Sequence, residues 1–320
     1  MTGMRLLADI GGTNVRFALL PPASLRPVQE KNMLCGDFRG LEEAVRHYLV
    51  GVGVASVNEA AFDVATAVTG DLIKLTNSPW AFSIDQTRRA LGLDRLLIIN
   101  DFTALALSLP LLEKEELCKV GGGTGVAGAP IGLIGAGTGL GVSALIRCGD
   151  NWVPIQGEGG HVAFSPMDER EDGVLRVLRE RYGHVSTERI VSGPGLVATY
   201  EALCTLDHVP AMAFKPEQVT ELGLAESDPQ CAEALRIFCG AFGTVAGNLV
   251  VTLGARAGLY IGGGIVPRLG DYFLRSPFRA RFEHKGRFSK YVSEVPAWII
   301  LAEQPALRGL ASALETGFGS

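Results

Sequence analysis

Apolar residues fall in short runs over the first hundred positions, and the runs break at glycine, proline or acidic residues. Leu6–Ile10 and Val15–Leu20 read as two strands joined through the turn Gly11-Gly12-Thr13-Asn14. Met33–Asp37 reads as a further strand. Leu41–Val50 reads as a helix with Glu42 and Glu43 in its first turn, where the helix dipole favours acids. Ala61–Val68 and Leu72–Leu75 read as strands around Thr69-Gly70-Asp71. A helix over Ile84–Leu91 leads to strand Leu96–Ile99 and then to a helical segment, Thr103–Leu109, that ends at Pro110. This interleaving predicts a mixed sheet with crossover helices.

Beyond Glu113–Lys119, a charged stretch that reads as a solvated face, the pattern restarts. Strands Ile131–Ile134 and Val142–Ile146 flank Gly137-Thr138-Gly139, so the first hairpin recurs when Gly12-Thr13 is laid on Gly137-Thr138. Helices are expected near Gly173–Tyr182, Gly193–Thr205 and Cys231–Leu253. Strand Leu259–Ile261 runs into Gly262-Gly263-Gly264, and strand Ala297–Ala302 precedes a last helix, Ala306–Glu315. The expected division is a small α/β domain over 1–110, a large α/β domain over 111–301, and 302–320 as a helix packing back on the small domain.

Composition narrows the partners. With 320 residues there is room for about two domains, each with its own core. A net charge of −5, without a basic run, argues against nucleic acid as a partner. The six cysteines show no ligand spacing and read as reduced core residues. Asp9 interrupts any signal-peptide core, so the chain reads as cytoplasmic. The uncharged stretch Ile237–Ala255 is long enough for a membrane span, but Asn248, two threonines and its glycines favour a buried core helix.

Neither a P-loop nor a G-x-G-x-x-G helix opening is present, so a phosphate cradle must be built otherwise. Asp9 with Gly11-Gly12-Thr13-Asn14 offers a carboxylate for Mg²⁺, through water, and backbone donors for phosphate, unless it is simply a capped glycine hairpin. Asn100-Asp101 sits at a strand end, where α/β sheets bind ligands, and suits a general base beside a hydroxyl ligand; a helix N-cap is the competing reading. In Gly157-Glu158-Gly159-Gly160-His161, glycines let a carboxylate and an imidazole converge on a polyol, although a metal pair or a plain glycine loop fits as well. Glu188 caps a helix or joins that pocket. Gly262-Gly263-Gly264 would let a base or ribose lie close to backbone, if it is more than a turn. His47, His184, His208 and His284 read as surface or structural.

Taken together these segments resemble the bacterial glucokinase family of the sugar kinase, hexokinase and actin-like ATPase superfamily. Leu7–Arg16 and Gly135–Gly141 resemble its two phosphate motifs, and Ile98–Ala104 its catalytic-base motif. Gly157–His161 and Ser186–Arg189 resemble sugar-binding segments, and Gly262–Arg268 the adenosine segment. Thr76–Ile84 and Ser192–Leu196 match as well. His161 is followed by Val-Ala-Phe-Ser-Pro rather than a cysteine-rich zinc motif, which points away from the ROK branch.

The resemblance implies an α/β, two-lobed actin-like ATPase (ribonuclease H-like) fold with a central cleft. It implies a homodimer that transfers phosphate from ATP-Mg²⁺ to the C6 hydroxyl of glucose. Asp101 would be the base, and Asn100, Glu158, His161 and Glu188 would bind the sugar hydroxyls. Asp9, Gly11, Gly12, Thr13, Asn14, Gly137, Thr138, Gly139 and Gly262–Gly264 would hold the nucleotide. The alternatives are a kinase for fructose, mannose or an N-acetylhexosamine, and a non-catalytic sugar-responsive regulator. The regulator reading is weakened because the phosphate motif starts at Asp9, with no DNA-binding module before it.

Overall fold

A computed structural model describes residues 3–75 and 80–318. Thr76-Asn77-Ser78-Pro79, the start of one resemblance motif, lies outside the described residues. The chain forms two compact units, one of residues 1–113, 148–156 and 302–320, the other of residues 114–147 and 157–301.

In the first unit, strands β1 (Arg5–Ile10), β2 (Asn14–Leu20), β3 (Val28–Leu34), β4 (Glu59–Val64) and β7 (Arg95–Asn100) form a sheet in the order β3-β2-β1-β4-β7. Strands β5 (Leu72–Lys74) and β6 (Ala81–Ser83) pair separately. Helices α1 (Leu41–Gly51) and α2 (Ile84–Ala90) lie in the crossovers, and α3 (Asp101–Ser108) follows β7. Strands β1, β4 and β7 are parallel, with Asp9 opposite Asp63 and Val64 opposite Asn100. Parallel registry therefore brings the polar carboxyl ends of three apolar strands to one edge. Near-continuous burial of β1 and β4 is what a sheet covered on both faces demands. Phe17 and Tyr48 stack at 5.2 Å between sheet and α1.

Strand β3 corrects one expectation. It spans Val28–Leu34, and Cys35–Asp37 is a single 3₁₀ turn whose Cys35 N–H donates to Thr13 O at 2.8 Å. β3 is an edge strand with mostly exposed side chains, so it carries little of the apolar alternation that would have marked it.

The second unit holds β8 (Leu117–Val120), β9 (Ile131–Ala136), β10 (Leu140–Cys148), β12 (Gly258–Gly262) and β13 (Ala297–Ile300) in the order β10-β9-β12-β13-β8, while β11 (Asn151–Gly157) falls almost wholly within the residues of the first unit. Part of the stretch read as a solvated face is thus strand: β8 pairs antiparallel with β13, and its charged neighbours mask it because it lies at an edge. Helices α4 (Glu169–Tyr182), α5 (Gly193–Leu206), α6 (Pro216–Leu224) and α7 (Pro229–Leu253) pack around this sheet's core, followed by short helices α8 (Ile265–Leu269), α9 (Asp271–Arg275), α10 (Phe278–Glu283) and α11 (Ser289–Ser293). Helix α4 starts four residues before the expected Gly173, capped by Asp168, whose carboxylate accepts from Glu171 N at 2.8 Å. The apolar α7 is long enough to cross a membrane, but most of it is buried inside the unit against Phe273, Phe278 and neighbours. Removing each such ring from water is worth about 1.5–3 kcal/mol, enough to account for a core helix of that apolarity.

The last helix, α12 (Pro305–Thr316), belongs to the first unit and packs on α3, β4 and β1.

Candidate active site

In the first unit the candidate residues gather at the carboxyl ends of β1, β4 and β7. Asp9 lies one residue from the end of β1, and Gly11 N donates to Asn14 O at 2.9 Å to close the Gly11–Asn14 turn. Arg16, opposite Asp9 on β2, donates to Asp9 Oδ2 at 2.9 Å. Thr13 is exposed at this turn.

Asn100 fills the helix-cap role weighed for it. Its Oδ1 accepts from Phe102 N (2.9 Å) and Thr103 N (3.3 Å), so it is the N-cap of α3. Its Nδ2 donates to Asp101 Oδ1 at 2.9 Å and to Thr66 O at 3.3 Å. Phe102 N also donates to Asp101 Oδ1, at 2.9 Å. Both bonds fall on Oδ1, which leaves Oδ2 as the oxygen available to a reacting hydroxyl. Burial pushes the Asp101 pKa up to about 6; the Phe102 and Asn100 hydrogen bonds lower it, and the charge of Asp9 raises it.

One residue of this cluster escaped sequence reading. Asp63, on β4 between Asp9 and the β7 end, is fully buried, and among the described residues neither of its carboxylate oxygens receives a hydrogen bond from a donor. Its pKa is raised well above the carboxylate range, first by burial and then by the charges of Asp9 and Asp101. A neutral Asp63 donating to Asp9 is the arrangement that avoids two facing acceptors.

In the second unit the remaining candidates converge around the β9–β10 turn. Gly137 N donates to Gly139 O at 2.8 Å, and Gly193 N, at the start of α5, donates to Gly137 O at 2.9 Å. Glu188, on a 3₁₀ turn over Thr187–Arg189, accepts from Leu140 N through Oε2 at 2.9 Å. The Glu158–His161 segment lies against the same strand: a methyl group on Gly160 would come within 3.0 Å of the Leu140 carbonyl carbon. Thr187 N donates to Val162 O at 2.8 Å, tying the Glu188 and His161 segments together. Glu158 and His161 have exposed side chains, and His184, read as surface or structural, is exposed and donates Nε2 to His161 O at 3.1 Å.

Gly262, at the end of β12, pairs with Gly135. Gly263 follows with φ +81°, and a side chain there would lie 2.8 Å from the Ala136 carbonyl carbon, so this position requires glycine. Beside it is a cavity of about 640 Å³ lined by Gly137, Thr138, Gly193, Pro194, Gly264 and Arg268, among others. Three segments far apart in sequence thus share one pocket, a size suited to a nucleoside. The α6 side chains Thr220, Glu221 and Leu224 also line it. Sequence reading missed them, because only the tertiary fold lays α6 over the glycine turns.

The glucokinase family model matches residues 6–317. The chain belongs to the glucokinase family. Curated glucokinases from Aromatoleum aromaticum and Chromobacterium violaceum are 51% and 50% identical, each over 97% of this chain and over 94% and 89% of their own lengths. A solved glucokinase from an Antarctic psychrotroph superposes with a TM-score of 0.89 at 32% identity, over 99% of this chain and 100% of its own. Membership makes this chain an ATP-dependent hexose kinase that phosphorylates glucose. The two mixed sheets are the α/β fold of glucokinases and other sugar kinases.

Proposed function

We propose that this chain moves the γ-phosphoryl group of ATP to the C6 hydroxyl of D-glucose, with Asp101 as general base. The observation that carries the assignment is the Asp101 carboxyl at the β7 end: Oδ1 is fixed by Asn100 and Phe102 N, and burial raises its pKa to about 6. Such a base is ionised at neutral pH yet basic enough to take a proton in the transition state. Asp101 accepts the C6 hydroxyl proton as the sugar oxygen bonds to γ-phosphorus. The bond from γ-phosphorus to the bridging oxygen breaks, and ADP leaves with that electron pair.

Asn100, Glu158, His161 and Glu188 are the proposed hydroxyl ligands. The Gly11–Asn14 turn and Gly137-Thr138-Gly139 are the proposed phosphate cradles, and Gly262-Gly263-Gly264 borders the adenosine pocket beside α6. For Mg²⁺, Asp9 would be the carboxylate, reached through water. Its side chain is partly exposed, and no group of three metal-ligating side chains occurs among the described residues. That suits a cation that comes with phosphates and keeps much of its water. Bound there, Mg²⁺ would neutralise phosphate charge. The reading includes a cytoplasmic homodimer, supported by the family resemblance. It also includes a small domain over 1–110, a large one over 111–301 and a returning helix over 302–320; the compact units agree with it in the return at 302 and differ in grouping 148–156 with the first unit.

The test is a coupled ADP-release assay of the purified chain with ATP across glucose, fructose, mannose and N-acetylglucosamine. The position of the product phosphate is read by ³¹P NMR. Glucose 6-phosphate as the main product supports the proposal; preference for another hexose contradicts it.

A further inference from the structure

The segment that carries Asn100 and Asp101 is held by the C-terminal helix before, within and after α3. Arg95, the first residue of β7, donates Nη1 to Leu314 O (3.4 Å) and Nη2 to Phe318 O (3.2 Å). Beyond α3, Arg308 on α12 donates to Leu111 O at 3.5 Å. Between these ties α12 crosses α3 at Gly309. A methyl group at Gly309 would press on the carbonyl of Ala104, 2.7 Å from its carbon, and lie 3.1 Å from Ser108 N. The two helices therefore meet backbone to backbone, and Ala104 is one turn into the helix whose first residue is Asp101.

Relaxed carbon contacts lie near 3.5–4 Å, so any side chain at 309 must drive the helices apart by about an ångström. The surroundings give little room. Leu307, Leu310, Ala311 and Ala313 on α12 are buried, as are Ala104, Ala106 and Leu107 on α3. Packed interiors pass such strain on rather than absorb it, and a helix of eight residues shifts as a body. Displacement at Ala104 is then displacement at Asp101.

We propose that α12, through the close approach at Gly309, is a positioning element for the acceptor base Asp101. This rests on the reading of Asp101 as that base. The role of Gly309 is indirect: it sets where the Asp101 carboxylate stands relative to the attacking hydroxyl.

The test is a double-mutant cycle between Gly309→Ala and Asp101→Asn, on variants whose folding is confirmed by circular dichroism. A misplacement of about 1 Å costs on the order of 10²-fold in rate, so Gly309→Ala is expected to lower kcat by about 10- to 100-fold. KM for ATP should stay within about twofold, since uniform binding is untouched. In the Asp101→Asn background, adding Gly309→Ala should cause no further loss, because the group being positioned is gone. Losses that multiply across the cycle, or wild-type kcat in Gly309→Ala, overturn the inference while leaving the base assignment standing. Near-normal kcat in Asp101→Asn alone removes the base assignment and the inference with it. If Gly309→Ala does not fold, Arg95→Ala takes its place in the same cycle with the same criterion, and a loss of about 3- to 10-fold is expected.

Discussion

Asp63 stands directly opposite Asp9 on the neighbouring parallel strand, fully buried and, among the described residues, without a donor to either carboxylate oxygen. Two carboxylates in that position coexist only if one holds a proton, and burial selects Asp63. The Asp9 carboxylate is paired to Arg16 beside the Gly11–Asn14 turn.

Asp63 binds its proton more tightly in the folded chain than in the unfolded one. Its contribution to stability is therefore fully present below the unfolded carboxylate range and is lost as pH rises above it. Asp63→Asn keeps the shape, supplies an N–H donor to Asp9 and has no proton to lose. It should melt higher than wild type at pH 7.5, by about 2–4 °C for each kcal/mol released, with the gap closing towards pH 4. Thermal melts across pH check this; an equal or lower melting temperature at pH 7.5 contradicts it.

Rate should follow the protonation of Asp101. Its pKa is raised to about 6, and only the ionised form can accept the hydroxyl proton. The plot of kcat/KM for glucose should be level above about pH 7 and fall about tenfold per pH unit well below 6. An acid limb near pH 4 would mean that an unburied carboxylate is acting.

Glu188 has a structural task alongside its proposed sugar contact, since its Oε2 satisfies the buried Leu140 N–H. Glu188→Ala strands that donor, at a cost of about 1–3 kcal/mol, whereas Glu188→Gln retains an acceptor. Melting should drop clearly for the alanine variant and little for the glutamine variant, while both raise KM for glucose. Equal melting of the two variants would show that the bond does not contribute.

The cavity beside Gly264 and Thr138 is the proposed nucleoside pocket. Thr220→Trp from α6 should fill part of it, raising KM for ATP by about tenfold or more and leaving KM for glucose within about twofold. Steady-state kinetics with each substrate varied in turn separates the two. A rise confined to glucose would move the nucleotide elsewhere.

The legible parts of this molecule were those with a local signal. The Asp9 turn, the strand running into Asn100-Asp101 and the Gly137 turn each announce themselves as an apolar run broken by glycine or acid, and all are strand ends in the fold. Elements at sheet edges were harder to read. β3 and β8 pair on one side only, so their sequences carry exposed charges that mimic loops. Asp63 was illegible for a different reason. A lone acid in an apolar strand says nothing of its neighbours until the parallel register sets it beside Asp9. The cavity shared by α6 and the glycine turns and the contact of Gly309 with Ala104 likewise exist only between elements distant in sequence.

Asp101 is the group proposed to take the proton from the sugar hydroxyl. The direct measurement is single-turnover glucose phosphorylation by Asp101→Asn, with saturating ATP and glucose and folding confirmed. The side chain keeps its shape and its Oδ1 still accepts from Phe102 N, so both substrates should bind within about threefold of wild type while the chemical step slows by about 10²- to 10⁴-fold. A chemical step within about fivefold of wild type would contradict the account.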